Sequence, residues 1–243
     1  ASADTRPLRE ALQATREIPH LSQWAHFLRN HDELDLGRLT DEQRARVFEK
    51  FGPEERMQLY GRGIRRRLAP MLGDRPHLEL AYSLLYALPG TPVMRYGDEI
   101  GMGEDLSLNE RDAVRTPMQW SCEPNAGFTE ADSTYLPTIS EGVWSYQRVN
   151  VEAQRRDPAS LLTWTSRMIR LRKECPEIGW GTYEILDPGC DEVLAMRYDW
   201  RGNSLLILHN FDHKPQEAHV SVGVSGHDRL SDLLHEEEIQ LSK

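Results

Sequence analysis

The sequence predicts an α/β fold built on parallel strands, followed by a separate antiparallel β region. Three observations carry this expectation. Short apolar runs at 24–28 and 93–96 each end in polar or acidic residues, the pattern of parallel strands that deliver side chains to a site. Helical stretches with apolar residues stepping three and four apart alternate with them, at 76–88 and 161–171. Beyond Pro176 the texture turns to β, with two apolar runs facing each other across a turn sequence.

The first helix is expected over 5–17, where Leu8, Ala11, Leu12 and Ala14 share a stripe that Pro19 ends. Trp24-Ala25-His26-Phe27-Leu28 reads as a buried strand leading into Arg29-Asn30-His31-Asp32-Glu33. Residues 40–74 are charged and helix-prone, opening on Thr40 as cap with Asp41, Glu42 and Gln43 in the first turn. Within them Arg65, Arg66 and Arg67 read as a solvated helix face. A phosphate or nucleic-acid site is the weaker reading, because the chain is acidic and no aromatics interleave.

Pro76 begins a largely buried helix whose residues Leu78, Ala81, Leu85 and Leu88 form one face. Pro89-Gly90-Thr91-Pro92 stops it. A short strand, Val93-Met94-Arg95-Tyr96, then leads to Asp98 and Glu99, which are expected to orient arginines or backbone groups. The segment 101–146 is rich in Gly, Pro, Asn and Asp and far longer than an ordinary connection, so it is expected to be a functional loop. Asp157 is the expected N-cap of a third helix, with Pro158 at its first position and Leu161, Trp164, Met168 and Leu171 on its apolar face. A domain boundary is expected at 176–181. After it, runs at 193–198 and 204–208 flank an expected five-residue hairpin loop at 199–203.

Composition narrows the function classes. Hydrophobic residues make up 39% of the 243 residues, enough for a buried core, so wholesale disorder is not expected. The net charge of -10 argues against nucleic acid and anionic membranes, which need clustered positive potential. No apolar run approaches the length of a membrane span, and the first ten residues lack a leader pattern. Cys122, Cys175 and Cys190 form neither a metal knuckle nor a disulfide framework, which favours a reducing, cytoplasmic compartment. Neither the cysteines nor the nine histidines show a metal-binding spacing, so no metal site is expected.

Four strings are more specific than any of these features. Phe27-Leu28-Arg29-Asn30-His31-Asp32-Glu33 resembles the fourth signature region of the α-amylase family of retaining glycoside hydrolases and transglycosylases. Leu88-Pro89-Gly90-Thr91-Pro92-Val93, running on to Tyr96-Gly97-Asp98-Glu99, resembles that family's eighth barrel strand. Val114-Arg115-Thr116-Pro117-Met118-Gln119-Trp120 is similar to the branch holding α-glucosidases and trehalose synthases (maltose glucosylmutases). Arg65-Arg66-Arg67-Leu68-Ala69-Pro70 is similar to strings in the trehalose synthases. The likeness runs over 24–210.

The resemblance implies that 1–178 is the C-terminal part of a TIM (β/α)8 barrel, with 101–146 as its active-site loop. Residues 179–243 would be a small, truncated antiparallel β-sandwich. It implies that Asp32 is the transition-state stabiliser, that His31 binds a substrate hydroxyl, and that Arg115 closes the glucose pocket by pairing with a carboxylate from an early loop. Glu33 would line the leaving-group subsite, with a structural salt bridge equally open. An isolated Asn-His-Asp string is more simply a helix cap; its three collinear neighbours reverse that preference. Trp120, Phe128, Tyr135 and Trp144 would either stack on sugar rings or pack the loop. Arg95 departs from the family, standing where relatives carry an aromatic.

The nucleophile and the general acid of such enzymes lie on the fourth and fifth barrel strands, upstream of the His-Asp string, and so outside this chain. The expected activity is interconversion of maltose and trehalose by a longer parent, with this chain inactive alone. An α-glucosidase or amylase-type hydrolase, or a non-catalytic relative acting as an interaction module, is the alternative. Expected partners are small α-glucosides, with a homo-oligomer or pairing with the N-terminal part of the barrel left open. No cofactor is expected, and calcium is admitted only in the parent, outside this chain.

Overall fold

The computed structural model describes residues 3–19, 21–223, 229–235 and 237–240. The chain divides into two compact units, one holding 23–169 and the other holding the N-terminal stretch to residue 22 together with 170 onward. The expected division after residue 178 lies nine residues further along than this one (178 against 169).

Helix α1 (Arg6–Ala14) opens the chain and belongs to the second unit. It buries Leu12, and Thr5 at its start donates its hydroxyl to Asp191 O at 2.8 Å.

The first unit begins at β1 (Ala25–His26) and β2 (Leu34–Asp35). Helix α2 (Asp41–Phe51) follows, with a capping box in which Thr40 and Gln43 exchange side-chain to backbone bonds. It stops at Gly52, well short of the helix-prone stretch expected to residue 74. The chain instead forms β3 (Gln58–Leu59) and β4 (Gly63–Ile64), which make a three-stranded antiparallel sheet in the order β2-β4-β3. Tyr60 and Gly61 at the hairpin tip both have positive φ, +56° and +65°.

Next come α3 (Leu68–Leu72) and α4 (Arg75–Ala87). Asp74 caps α4 by accepting from His77 N, and Leu78, Tyr82, Leu85 and Tyr86 are buried along it, as the apolar stepping requires. Then β5 (Thr91–Pro92) pairs in parallel with β1, Ala25 opposite Thr91. Gly90 makes this approach possible: it has φ +114°, and a Cβ there would lie 2.5 Å from Trp24 O.

This ladder is shorter and more open than the sequence suggests. Trp24 and Phe27, expected inside a buried strand, are 44% and 51% exposed, because a two-stranded ribbon covers neither outer edge nor both faces. The second strand lies at 91–92, not at 93–96. Among the described residues β1 and β5 are the whole parallel ladder, so the barrel is partial and unclosed.

The long loop 101–146 is held by short 3-10 turns and a small core of Ile100, Met102, Met118 and Val151. Helix α5 (Val151–Arg156) is capped by Asn150, which accepts from Ala153 N. Helix α6 (Leu161–Glu174) starts three residues later than the expected first helical position, Pro158. Asp157 closes a turn on Ala159 N, and the Ser160 hydroxyl caps the helix by accepting from Thr163 N at 3.1 Å. Leu161, Thr165 and Met168 form its buried line.

The rest of the second unit is α7 (Pro176–Trp180), β6 (Thr182–Leu186), β7 (Val193–Trp200) and β8 (Asn203–Asn210). The three strands form an antiparallel sheet, β6-β7-β8. The β7–β8 loop is two residues rather than five, because Arg201 (φ +51°) and Gly202 (φ +85°) make the left-handed pair that matches strand twist. A separate ribbon pairs β9 (Arg229–Ser231) with β10 (Glu238–Gln240). Among the described residues the C-terminal region is thus one sheet and one ribbon, and a sandwich is not seen; 241–243, where the expected truncation falls, lie outside the described residues. No helix among them is long and apolar enough to cross a membrane.

Candidate active site

The chain leaves β1 directly into Arg29-Asn30-His31-Asp32-Glu33, so these residues sit at the C-terminal end of a parallel strand, as expected. Their backbone is fixed from within. Arg29 is buried and donates from Nε to Arg66 O (2.7 Å) and from Nη2 to Asp32 O (2.8 Å). Its burial lowers the guanidinium to about 10. Asn30 Oδ1 accepts from Asp32 N at 2.9 Å, closing an Asx turn. Arg95, the residue that departs from the family, donates to Asn30 O at 3.1 Å and to Val114 O, tying the His-Asp loop to the Arg115 loop.

The side chains then converge. Arg115 Nη2 lies 3.1 Å from Asp32 Oδ1, and its Nε donates to His31 O at 2.9 Å. Arg111 Nε lies 3.0 Å from Asp32 Oδ1 and 2.7 Å from Glu33 Oε2. His31 Nε2 lies 3.9 Å from Asp32 Oδ2, with the His31 ring largely exposed. Asp32 is 39% exposed while Glu33 is only 7% exposed, so the first faces solvent and the second is enclosed. The Arg111 guanidinium beside Glu33 holds its carboxyl below the usual range.

The structure therefore brings together all four residues singled out from the sequence, His31, Asp32, Glu33 and Arg115. In this chain the carboxylate paired with Arg115 is Asp32. Sequence reasoning missed Arg111, although its position one helical turn before Arg115 was a signal.

Arg65, Arg66 and Arg67 are the clearest correction. They follow β4 instead of lying on a helix, and they are not solvated. Arg65 donates to Arg56 O, Leu106 O, Leu108 O and Glu110 O, pinning the start of the long loop. Arg66 pairs with Glu104 at 2.8 Å, and Arg67, 1% exposed, pairs with Asp98 at 3.1 Å. Burial pushes the carboxyls of Asp98 and Glu104 up despite these partners. Asp98 thus orients an arginine and, through its carbonyl, accepts from Tyr82 OH.

Of the loop aromatics, Trp120 and Phe128 are half-exposed and Tyr135 is fully exposed. Trp144 packs on Gly103, where a Cβ would meet its ring at 2.4 Å. Cys122, Cys175 and Cys190 are free thiols, and no cluster of three or more metal-ligating side chains occurs among the described residues.

Residues 65–181, which include Arg111 and Arg115, match the family Alpha amylase, catalytic domain. The chain belongs to the α-amylase family. It is 44% identical over 223 residues to the trehalose synthase of Pimelobacter sp., a match covering 89% of this chain and 39% of that protein. It is likewise 44% identical over 222 residues to the trehalose synthase/amylase TreS of Mycobacterium tuberculosis, covering 89% of this chain and 37% of that protein. The trehalulose synthase MutB from Pseudomonas mesoacidophila shares the fold, with a TM-score of 0.59 at 23% identity over 88% of this chain and 39% of that one. The chain spans about two-fifths of the length of the relatives it matches.

Proposed function

We propose that this chain forms the transition-state-stabilising side of the active site of a retaining enzyme that interconverts maltose and trehalose. The observation that carries this reading is the convergence of Arg111 and Arg115 on Asp32 beside His31, at a parallel strand's C-terminal end. Cleaving a glucosidic bond builds positive charge at the anomeric centre, and a carboxylate that accepts bonds from the sugar hydroxyls offsets it without moving a proton. Asp32 has that position, with 39% of its side chain exposed. His31 binds a sugar hydroxyl, and Arg115 fixes the rim of the glucose pocket with a planar fork of donors. Glu33 lines the leaving-group subsite through Arg111, which it holds along both carboxylate oxygens.

The nucleophile and the general acid come from the part of the barrel outside this chain. The 243 residues alone are therefore inactive and pair with that N-terminal part, in a barrel portion reaching residue 178 and a β-sandwich after it. The protein is cytoplasmic and needs no cofactor. Similarity to trehalose synthases over 89% of the chain supports this choice over other α-glucoside chemistry. The test is the product of the full-length protein given maltose. Trehalose is expected; glucose without trehalose overturns the interconversion and leaves an α-glucosidase.

A further inference from the structure

Tyr60 occupies a position that its residue type does not favour. It is the first central residue of the turn between β3 and β4, where Arg62 N donates to Leu59 O at 3.2 Å and the backbone is left-handed at φ +56°. Gly or Asn adopts that geometry freely, whereas the Cβ of a tyrosine crowds the following carbonyl there. The ring is only half covered: Tyr60 is 52% exposed.

The ring is nonetheless held at one place. The Arg111 guanidinium sits 5.7 Å from its centroid, and this is the arginine that bonds Glu33 and Asp32. Glu110, next to Arg111 in the chain, is itself left-handed at φ +44°, and its carbonyl is fixed by buried Arg65 at 3.1 Å. Two left-handed non-glycine residues thus flank Arg111, the arginine that bonds the site carboxylates, and retained backbone strain of this kind clusters at functional sites.

We propose that Tyr60 is a stacking platform for the second sugar ring, the glucosyl acceptor, so that the β3–β4 hairpin sets acceptor choice. This rests on the glucosyl-transfer reading above. Pyranose rings present apolar C–H faces that pack on aromatic rings, and the part-exposed Arg111 guanidinium alongside supplies donors for that sugar's hydroxyls. The ring makes no bond. In transfer, the glucosyl–enzyme bond breaks, an acceptor hydroxyl bonds to C1, and its proton passes to the carboxylate base outside this chain.

The test uses the full-length protein and α-glucosyl fluoride, whose leaving group carries no ring. Tyr60→Gly removes the ring and relieves the backbone. It is expected to consume the fluoride within twofold of wild type and to hold or raise Tm, while the ratio of glucosyl transferred to added glucose over glucosyl released to water falls about tenfold. Tyr60→Phe is expected to retain the ratio. An unchanged ratio in Tyr60→Gly overturns the platform, as does a fall in Tm and in fluoride consumption with no change in ratio. If wild type consumes the fluoride without any transfer to glucose, the interconversion itself fails, and the platform with it.

Discussion

Two groups of arginines in the first unit do opposite work. Arg29, Arg65, Arg66 and Arg67 lie inside the fold and donate to main-chain carbonyls of 32, 56, 66, 96, 106, 108 and 110, which fastens loops that have almost no regular structure. Arg111 and Arg115 are a third exposed and aim chiefly at the carboxylates of Asp32 and Glu33. A planar, always-charged donor fork suits both tasks. The lesson is that the buried set replaces the sheet hydrogen bonds that a long irregular loop lacks, and the exposed set presents charge to a ligand.

The comparison breaks most sharply at Arg67. Replacing it with alanine leaves Asp98 buried without its cation and is expected to cost about 3–5 kcal/mol, read as a fall in the denaturant midpoint of the full-length protein. Arg67→Met, tested with Asp98→Asn, is expected to recover much of that loss, because the penalty belongs to the stranded charge.

At the exposed set the outcome is reversed. Arg115→Lys is expected to lower turnover of maltose at least tenfold, since one ammonium does not span both His31 O and the Asp32 carboxylate. Stability should stay within about 0.5 kcal/mol of wild type, as for other surface changes, and steady-state kinetics with a melting curve checks both.

The smallest effect concerns pH. Arg111 holds Glu33 below its ordinary value of about 4.5, so the folded state binds the proton less readily than the unfolded one. The stability Glu33 contributes is present above that ordinary value and is lost as pH falls through the lower folded value. Asp98 and Glu104, raised by burial, change stability in the opposite sense. Subtracting the Tm–pH curve of Glu33→Gln from that of wild type isolates the first contribution. A flat difference between pH 6 and about pH 3 would show that the ion pair adds nothing.

Much of the local structure was legible. The Thr40 cap, the buried faces of α4 and α6 and the β7–β8 pairing follow from residue types at fixed spacing. The His31-Asp32-Glu33 string and Arg115 were legible as a motif. What was hidden has physical causes. Two-residue strands such as β2, β3 and β4 are too short to show alternation, and the β7–β8 turn depends on a left-handed arginine that no propensity favours. Arginines at 65–67 look solvated in sequence because charge usually is, and burial depends on which carbonyls and carboxylates the remote segment 96–110 places beside them.

The sequence by itself therefore determined the long helices, the β7–β8 pairing, the family and the position of the His31-Asp32-Glu33 string, since these are written in contiguous residues and short periods. Tertiary structure decided which arginines are structural and which face the site, that Arg111 joins Asp32 to Glu33, and that Tyr60 stands beside them. Each of those facts joins residues tens of positions apart, and a pairing of that kind exists only once the backbone has folded to bring the partners within a hydrogen bond's reach.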